Sequence, residues 1–314
     1  HLPSLRTAGI PLRPTLHGDR AGLRRFGMLL APVVVALLAG QVVPLAEVYL
    51  ASHERAGAIS YLGFAQRIFS MPEQLFSTTV ATVLVPFLAI DVAAGRGSVA
   101  GEQLARAIRI LLFLTLPVGV LLAVLARPVV ALLLGRGAFD AAAVEGTTAA
   151  LTVYALGLSA VCIRALAVAA FFAFQDTRTL LWVTLAMAAV NIGLDIVLVR
   201  HLSYVGIALG ATLTAVLHMG TLVALLPRHC GPIPVFREGA DLLKSAASAA
   251  LMALVVVGIL AALPFGGTAA QRLLLLAVGG VGGIGVYAAG ALLFRVRDGR
   301  SAWALLRQAV RRRG

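Results

Sequence analysis

Apolar runs of 20 or more residues recur along this chain, and few folds can accommodate them. A helix needs roughly 20 apolar residues to cross ~30 Å of hydrocarbon. Runs of that length lie near residues 28–50, 60–90, 108–133, 146–173, 179–199, 205–226, 245–263 and 272–294. Only 12% of the 314 residues are charged, against about 25% in soluble domains. The chain therefore reads as an all-α membrane protein with about eight transmembrane helices. The second and third runs exceed one bilayer crossing. They are expected to run past the bilayer or to bend, at Pro72 or Pro86 and at Pro117 or Pro128.

The formal net charge is +13, but the basic residues sit in short segments between apolar runs. That pattern marks topology rather than nucleic-acid binding. The first segment, alternate connections with their flanking span ends, and the tail hold 19 of the 26 Lys and Arg residues. Such a bias places both ends of the chain on the cytoplasmic side. Arg311, Arg312 and Arg313 also suit anionic lipid head groups. The expected organisation is a cytoplasmic loop remnant (1–27), a six-span unit (28–226), a polar cytoplasmic linker (227–244), two further spans (245–294) and a basic cytoplasmic tail (295–314). The chain starts at His1 with polar, Pro-rich residues and no signal-peptide pattern. It reads as beginning in a loop. Cys162 lies in a run and Cys230 in a loop, so no disulfide is expected. The histidines lack zinc-ligand spacing. Gly279 and Gly283 have the small-xxx-small spacing of close helix packing.

Polar residues inside the runs carry the functional signal, because charge in a bilayer is costly and normally faces protein or water. The second run holds Gln66, Arg67, Pro72, Glu73 and Pro86, and so reads as one wall of a polar cavity. Arg67 lies two turns in, and its planar fork suits phosphate or carboxylate oxygens. Its alternative is a salt bridge to Glu47 or Glu73. Arg164 is a similar candidate deep in the fourth run. Glu47, Asn191, Asp195, Thr212 and Thr214 fall at one depth, towards the side opposite the cytoplasm. Asn191 and Asp195 share a helix face. Two carboxylates, an amide and a hydroxyl are hard oxygen ligands, suited to Na⁺ or to a shared proton. The alternatives are interfacial carboxylates in contact with water, or Asp195 paired with Arg200 or His201. Asp176 or Thr177 is expected to cap a helix. Gly135 to Asp140 reads as a turn. His218 is isolated and no Ser/His/Asp set is visible, so the chain does not read as an integral-membrane enzyme.

Several stretches, in order, resemble the MurJ (MviN) lipid II flippase family: GAISYLGFAQRIFSMPEQLFSTTVATVLVPFLA, RPVVALLLGRGAFD, FFAFQDTRT, and VNIGLDIVLV followed by GIALGATLTAV. The likeness runs from about residue 25 to 230. It implies a member of the multidrug/oligosaccharidyl-lipid/polysaccharide exporter superfamily, with this chain as the second six-helix lobe plus two extra helices. A first lobe would then be its partner. The implied substrate is lipid II, the undecaprenyl-pyrophosphate-linked peptidoglycan precursor, flipped outward across a bacterial inner membrane. On this resemblance Arg67 would meet the pyrophosphate and Ser60 would line the cavity beside Gln66. Glu47, Asn191, Asp195, Thr212 and the Ala208 carbonyl match a sodium site. Glu47 stands where Asp or Asn is expected, and Gln66 and Ser70 where some members carry acids. The last two helices resemble a pair that cradles a lipid tail. A flippase for another polyprenyl-linked sugar and a drug/cation antiporter are the alternatives. No cofactor is implied beyond Na⁺ as coupling ion.

Overall fold

The computed structural model describes residues 40–137, 139–231, 233, 239–262 and 269–294; for 79–85, 239–240 and 269–270 it describes the backbone alone. The chain divides into two compact units, residues 1–45 and 46–314. All that follows on packing and chemistry lies within the second. The described residues contain helices and turns and no strand.

The helices are α1 (Val42–Ser52), α2 (Ala58–Ala93), α3 (Gly97–Val124), α4 (Ala126–Leu133), α5 (Ala141–Leu156), α6 (Leu158–Ala173), α7 (Thr177–Leu202), α8 (Tyr204–Leu225), α9 (Pro227–Cys230), α10 (Gly239–Ala262) and α11 (Ala269–Leu293). Among the described residues, α3, α7, α8 with α9, α10 and α11 are each long and apolar enough to span a membrane. So are α5 and α6 taken together, as one span bent by 49°. The first expected run lies mostly outside the described residues. The second forms α2, whose polar residues set it apart from those spans. The expected count of eight is therefore not fixed by the described helices.

At 1.5 Å per residue, the 36 residues of α2 extend about 54 Å, well beyond one hydrocarbon thickness. It stays helical through Pro72 and Pro86. Gly57 opens it at φ 92°, where a Cβ would lie 2.6 Å from the Tyr61 ring. Gly95 (φ 70°) closes it in a Schellman turn, with Arg96 N donating to Asp91 O and Gly95 N to Val92 O. The third run breaks, but between Val124 and Ala126 rather than at a proline. Pro128 explains the place: it has no N–H for the Val124 carbonyl, so it fits the first turn of a new helix. Two expected turns are in place. Asp176 accepts from Thr179 N (3.1 Å) at the start of α7, and Asp140 accepts from Ala143 N (2.8 Å) at the start of α5.

One apolar core joins α2, α3, α5, α6 and α8 through fully buried Leu88, Leu104, Leu111, Leu151, Leu158, Phe171 and Leu222. A second core, of Leu125, Ala249, Met252, Val256 and Tyr287, holds α10 and α11 against α3. Gly279 and Gly283 make room for it. A Cβ on them would meet Leu125 at 3.2 Å and Leu121 at 3.0 Å. Large apolar side chains such as Trp182, Val197, Leu254 and Val281 point outward. An apolar exterior of that kind suits lipid, not water. Cys162 and Cys230 are buried free thiols.

Candidate cation site and substrate-facing helix

The antiparallel pair α7 and α8 is packed backbone to backbone, and glycine makes this possible. A Cβ at Gly206 would lie 2.3 Å from the Leu198 carbonyl oxygen. One turn on, a Cβ at Gly210 would lie 2.0 Å from Asp195 Oδ1. The Asp195 carboxylate thus occupies the place of a missing side chain. It is fully buried, and neither of its oxygens has a hydrogen-bond donor. One turn away on the same face of α7, buried Asn191 donates from Nδ2 to Thr214 Oγ1 (3.2 Å), leaving its own Oδ1 without a donor. Asp195 and Asn191 therefore present three buried oxygens without a donor. A buried carboxylate with no partner costs several kcal/mol in effective desolvation. A bound cation would satisfy all three, and a proton on the carboxyl would satisfy part of the set.

Neighbouring helices surround these oxygens. Glu47 of α1 is half-buried and lies close enough to Asp195 to repel it. Both carboxylates also act electrostatically on Tyr154 of α5, which is buried. Thr212 of α8 donates its hydroxyl to the Val153 carbonyl (3.1 Å) at the break between α5 and α6. The break frees that carbonyl: Gly157 N turns to Tyr154 O (2.9 Å) instead of reaching back four residues. Donation to Val153 leaves the lone pairs of the Thr212 hydroxyl available for a cation. Ala208 is buried one turn earlier, where its carbonyl serves the α8 ladder and offers a second lone pair. Asp195 makes no ion pair with Arg200 or His201 among the described residues.

The second constellation lies on α2. Its buried side is apolar, with Ala58, Leu62, Ala65, Ile68 and Phe69. Its exposed side carries Ser60, Gly63, Gln66, Arg67, Gln74 and Thr78, with Ile59, Met71 and Leu75 exposed among them. An arginine facing lipid is costly, so Arg67 and the polar side chains beside it belong against water or a polar solute. Ser60, Gln66 and Arg67 are all on the exposed side of α2. The Arg67 guanidinium lies 5.7 Å from the Phe64 ring centroid. It forms no salt bridge to Glu47 or Glu73. Arg164 stands elsewhere. It is on α6, half-buried, with Nε buried and without a partner. Glu73 and Cys162 are its electrostatic neighbours.

Sequence reasoning did not single out Gly210, Tyr154, Val153 or the break at Gly157. The signals were present in part. Gly206 and Gly210 have small-xxx-small spacing, and Gly157 interrupts an apolar run. Tyr154 had none, since an aromatic residue in an apolar helix is ordinarily core.

The comparisons with known proteins decide the family. A family model described as lipid II flippase MurJ matches residues 1–274. The chain belongs to the MurJ family. A probable lipid II flippase MurJ of Rhizobium meliloti is 34% identical over 226 residues, covering 71% of this chain and 41% of that protein. A Vibrio cholerae counterpart is 28% identical over 221 residues, covering 70% and 42%. The chain thus spans less than half the length of these relatives. A solved lipid II flippase MurJ in an inward closed conformation superposes with a TM-score of 0.72 at 22% identity, covering 94% of this chain and 59% of the other. A transporter of the same exporter superfamily from Pyrococcus furiosus superposes at 0.55 and 14% identity, covering 87% and 66%. At these identities the two structures establish the fold. MurJ-family membership and the apolar helices make this a multi-pass membrane protein.

Proposed function

We propose that this chain is one half of a flippase that carries lipid II from the cytoplasmic to the outer leaflet of a bacterial inner membrane, for peptidoglycan synthesis. The exposed side of α2 carries the reading: it sets Arg67, without a salt bridge among the described residues, beside the polar side chains of Ser60, Gln66 and Gln74. A guanidinium fork matches a pyrophosphate bidentately. A further six-helix lobe of the same protein supplies the opposite wall of the cavity, and both ends of the present chain are cytoplasmic. Transport proceeds by alternating access, with two lobes rocking about the cavity and no bond made or broken. Na⁺ bound by Asp195, Asn191 and Thr212, with Glu47 and the Ala208 carbonyl alongside, biases that cycle. The two sites use different helices, so ion binding acts on the packing of α7 and α8 while the substrate meets α2.

Complementation tests the substrate face. In the full-length protein, Arg67→Ala is expected to abolish growth of a flippase-depleted strain while membrane expression stays intact. Arg67→Lys, which keeps the charge and loses the fork, is expected to rescue only partially. Full rescue by Arg67→Ala would remove the pyrophosphate-binding role.

A further inference from the structure

α1 and α2 meet at a corner, residues 53–57, and that corner is tied to the turn between α7 and α8. Ser203 Oγ donates to the Glu54 carboxylate, and Arg55 Nη2 donates to Tyr204 Oη (2.8 Å). The Arg55 guanidinium also lies over the Tyr204 and Tyr61 rings, 4.7 and 5.6 Å from their centroids. Tyr204 is buried, and its hydroxyl donates on to the Gly146 carbonyl of α5 (3.2 Å). Ser203 sits at φ 55° and ψ −150°, a backbone conformation open mainly to glycine. A serine there is strained, yet its hydroxyl makes the bond to Glu54. The tie also holds α1. Ala51, beside the corner, is the one buried residue of that helix, while Val48 and Tyr49 are exposed. Contacts at the corner therefore decide where Glu47 stands.

The same helices carry the cation site, one level further along. Glu54 to Glu47, Gly146 to Val153, Ser203 to Asp195 and Tyr204 to Thr212 are each separations of seven or eight residues, about two helical turns. α5 and α8 are hydrogen-bonded at both levels, Tyr204 to Gly146 and Thr212 to Val153. We propose that Glu54, Arg55, Ser203 and Tyr204 form a clasp that positions the cation site, and above all α1 with Glu47. The clasp sets α1, α5, α7 and α8 in the arrangement that brings their oxygens to one level. Coupling of this kind is reciprocal: a clasp that favours the complete site is favoured by the bound ion to the same degree. This role rests on the cation-site reading. The four are positioning residues, and none of them is a ligand.

Sodium titrations of the full-length protein in detergent, read by thermal stabilisation, test the clasp. Ser203→Gly is the decisive variant. It changes no charge, and glycine relaxes the turn, so the melting temperature without sodium should hold or rise. Sodium affinity should nonetheless fall about fivefold or more. Tyr204→Phe, which removes the hydroxyl that joins Arg55 to Gly146 and also changes no charge, is expected to lower affinity likewise. It decides in place of Ser203→Gly should that variant fail to fold. Nitroxide labels on Val48→Cys and Val197→Cys, both at exposed positions, read the reciprocal effect. Sodium is expected to narrow the distance distribution between α1 and α7, and to narrow it less once Ser203→Gly is added. Unchanged sodium affinity in Ser203→Gly would overturn the clasp and leave the cation site standing, as would a label distance that ignores sodium. Absence of any sodium stabilisation in the unmodified protein would overturn the site and the clasp together.

Discussion

Substitution of Gly210 by alanine separates the proposed cation site from the fold that holds it. The added Cβ would lie 2.0 Å from Asp195 Oδ1, but 3.4 Å from the Asp195 backbone nitrogen. The backbone can therefore stay where it is, and only the carboxylate must move. To reach a carbon–oxygen contact of about 3.2 Å, Oδ1 has to retreat by more than ~1 Å, several times the tolerance of a metal–ligand distance. Overpacking of this kind costs about 1–3 kcal/mol, offset in part by about 1 kcal/mol of helix propensity gained over glycine. The protein is expected to fold with a slightly lower melting temperature. Stabilisation by ligand is a different matter. A site filled at 100 times its Kd contributes about 2.7 kcal/mol, and that contribution should vanish. Melting curves with and without Na⁺ measure both effects. Gly210→Ala and Asp195→Asn should each abolish the sodium-dependent shift. Gly206→Ala is the contrasting case. Its Cβ would strike backbone, 2.3 Å from Leu198 O, so α7 and α8 must part and stability should fall further. A full sodium shift in Gly210→Ala would refute Asp195 as a ligand.

Two further predictions concern the fold. Tyr287→Phe removes the hydroxyl that donates to Phe113 O (3.0 Å), and should lower stability by about 1–3 kcal/mol in thermal unfolding, since the carbonyl is left without a partner. Asp176 accepts hydrogen bonds from Thr179 and faces His229 across 3.0 Å. These hydrogen bonds, chiefly those from Thr179, hold its carboxyl below the ordinary carboxylate range. A depressed folded-state value means stability that is present above the ordinary range and lost as pH falls through the folded one. Melting temperature should therefore drop on acidification below pH ~4, and Asp176→Asn should flatten that limb; an identical acid limb in the variant would refute the assignment.

Much of this was legible because a bilayer leaves little choice. The absence of water forces helices, and helices show as apolar runs. The α2 stripe was equally legible, since Gln66 and Arg67 in an apolar run have to face something polar. Asn191 and Asp195 declared themselves by spacing and depth. What stayed hidden was three-dimensional. No pattern in the sequence says that Gly210 makes room for Asp195, because the two meet across antiparallel helices. Arg164 shows the same limit. Its sequence position is as suggestive as that of Arg67, yet helix rotation sets one beside His218 and the other on the open stripe. The third run broke at a place fixed by the first-turn tolerance of Pro128, which is a property of the new helix and not of the old one.

Where the helix ladder is interrupted, another helix completes it. Pro117 cannot donate to the Phe113 carbonyl, and Tyr287 of α11 does so. The break at Gly157 frees the Val153 carbonyl, and Thr212 of α8 takes it. In water each of these carbonyls would be solvated at no structural cost. In hydrocarbon each needs a donor from protein, so every interruption becomes a tie between helices. The consequence for function follows at Gly157. The tie there is made by Thr212, two residues past Gly210, the residue that admits Asp195. A cation that draws on the Thr212 oxygen and the Asp195 carboxylate thereby also holds α8 against the one bend in the α5–α6 span. On the proposed cation site, ion occupancy would thus be coupled to helix geometry through a single hydroxyl.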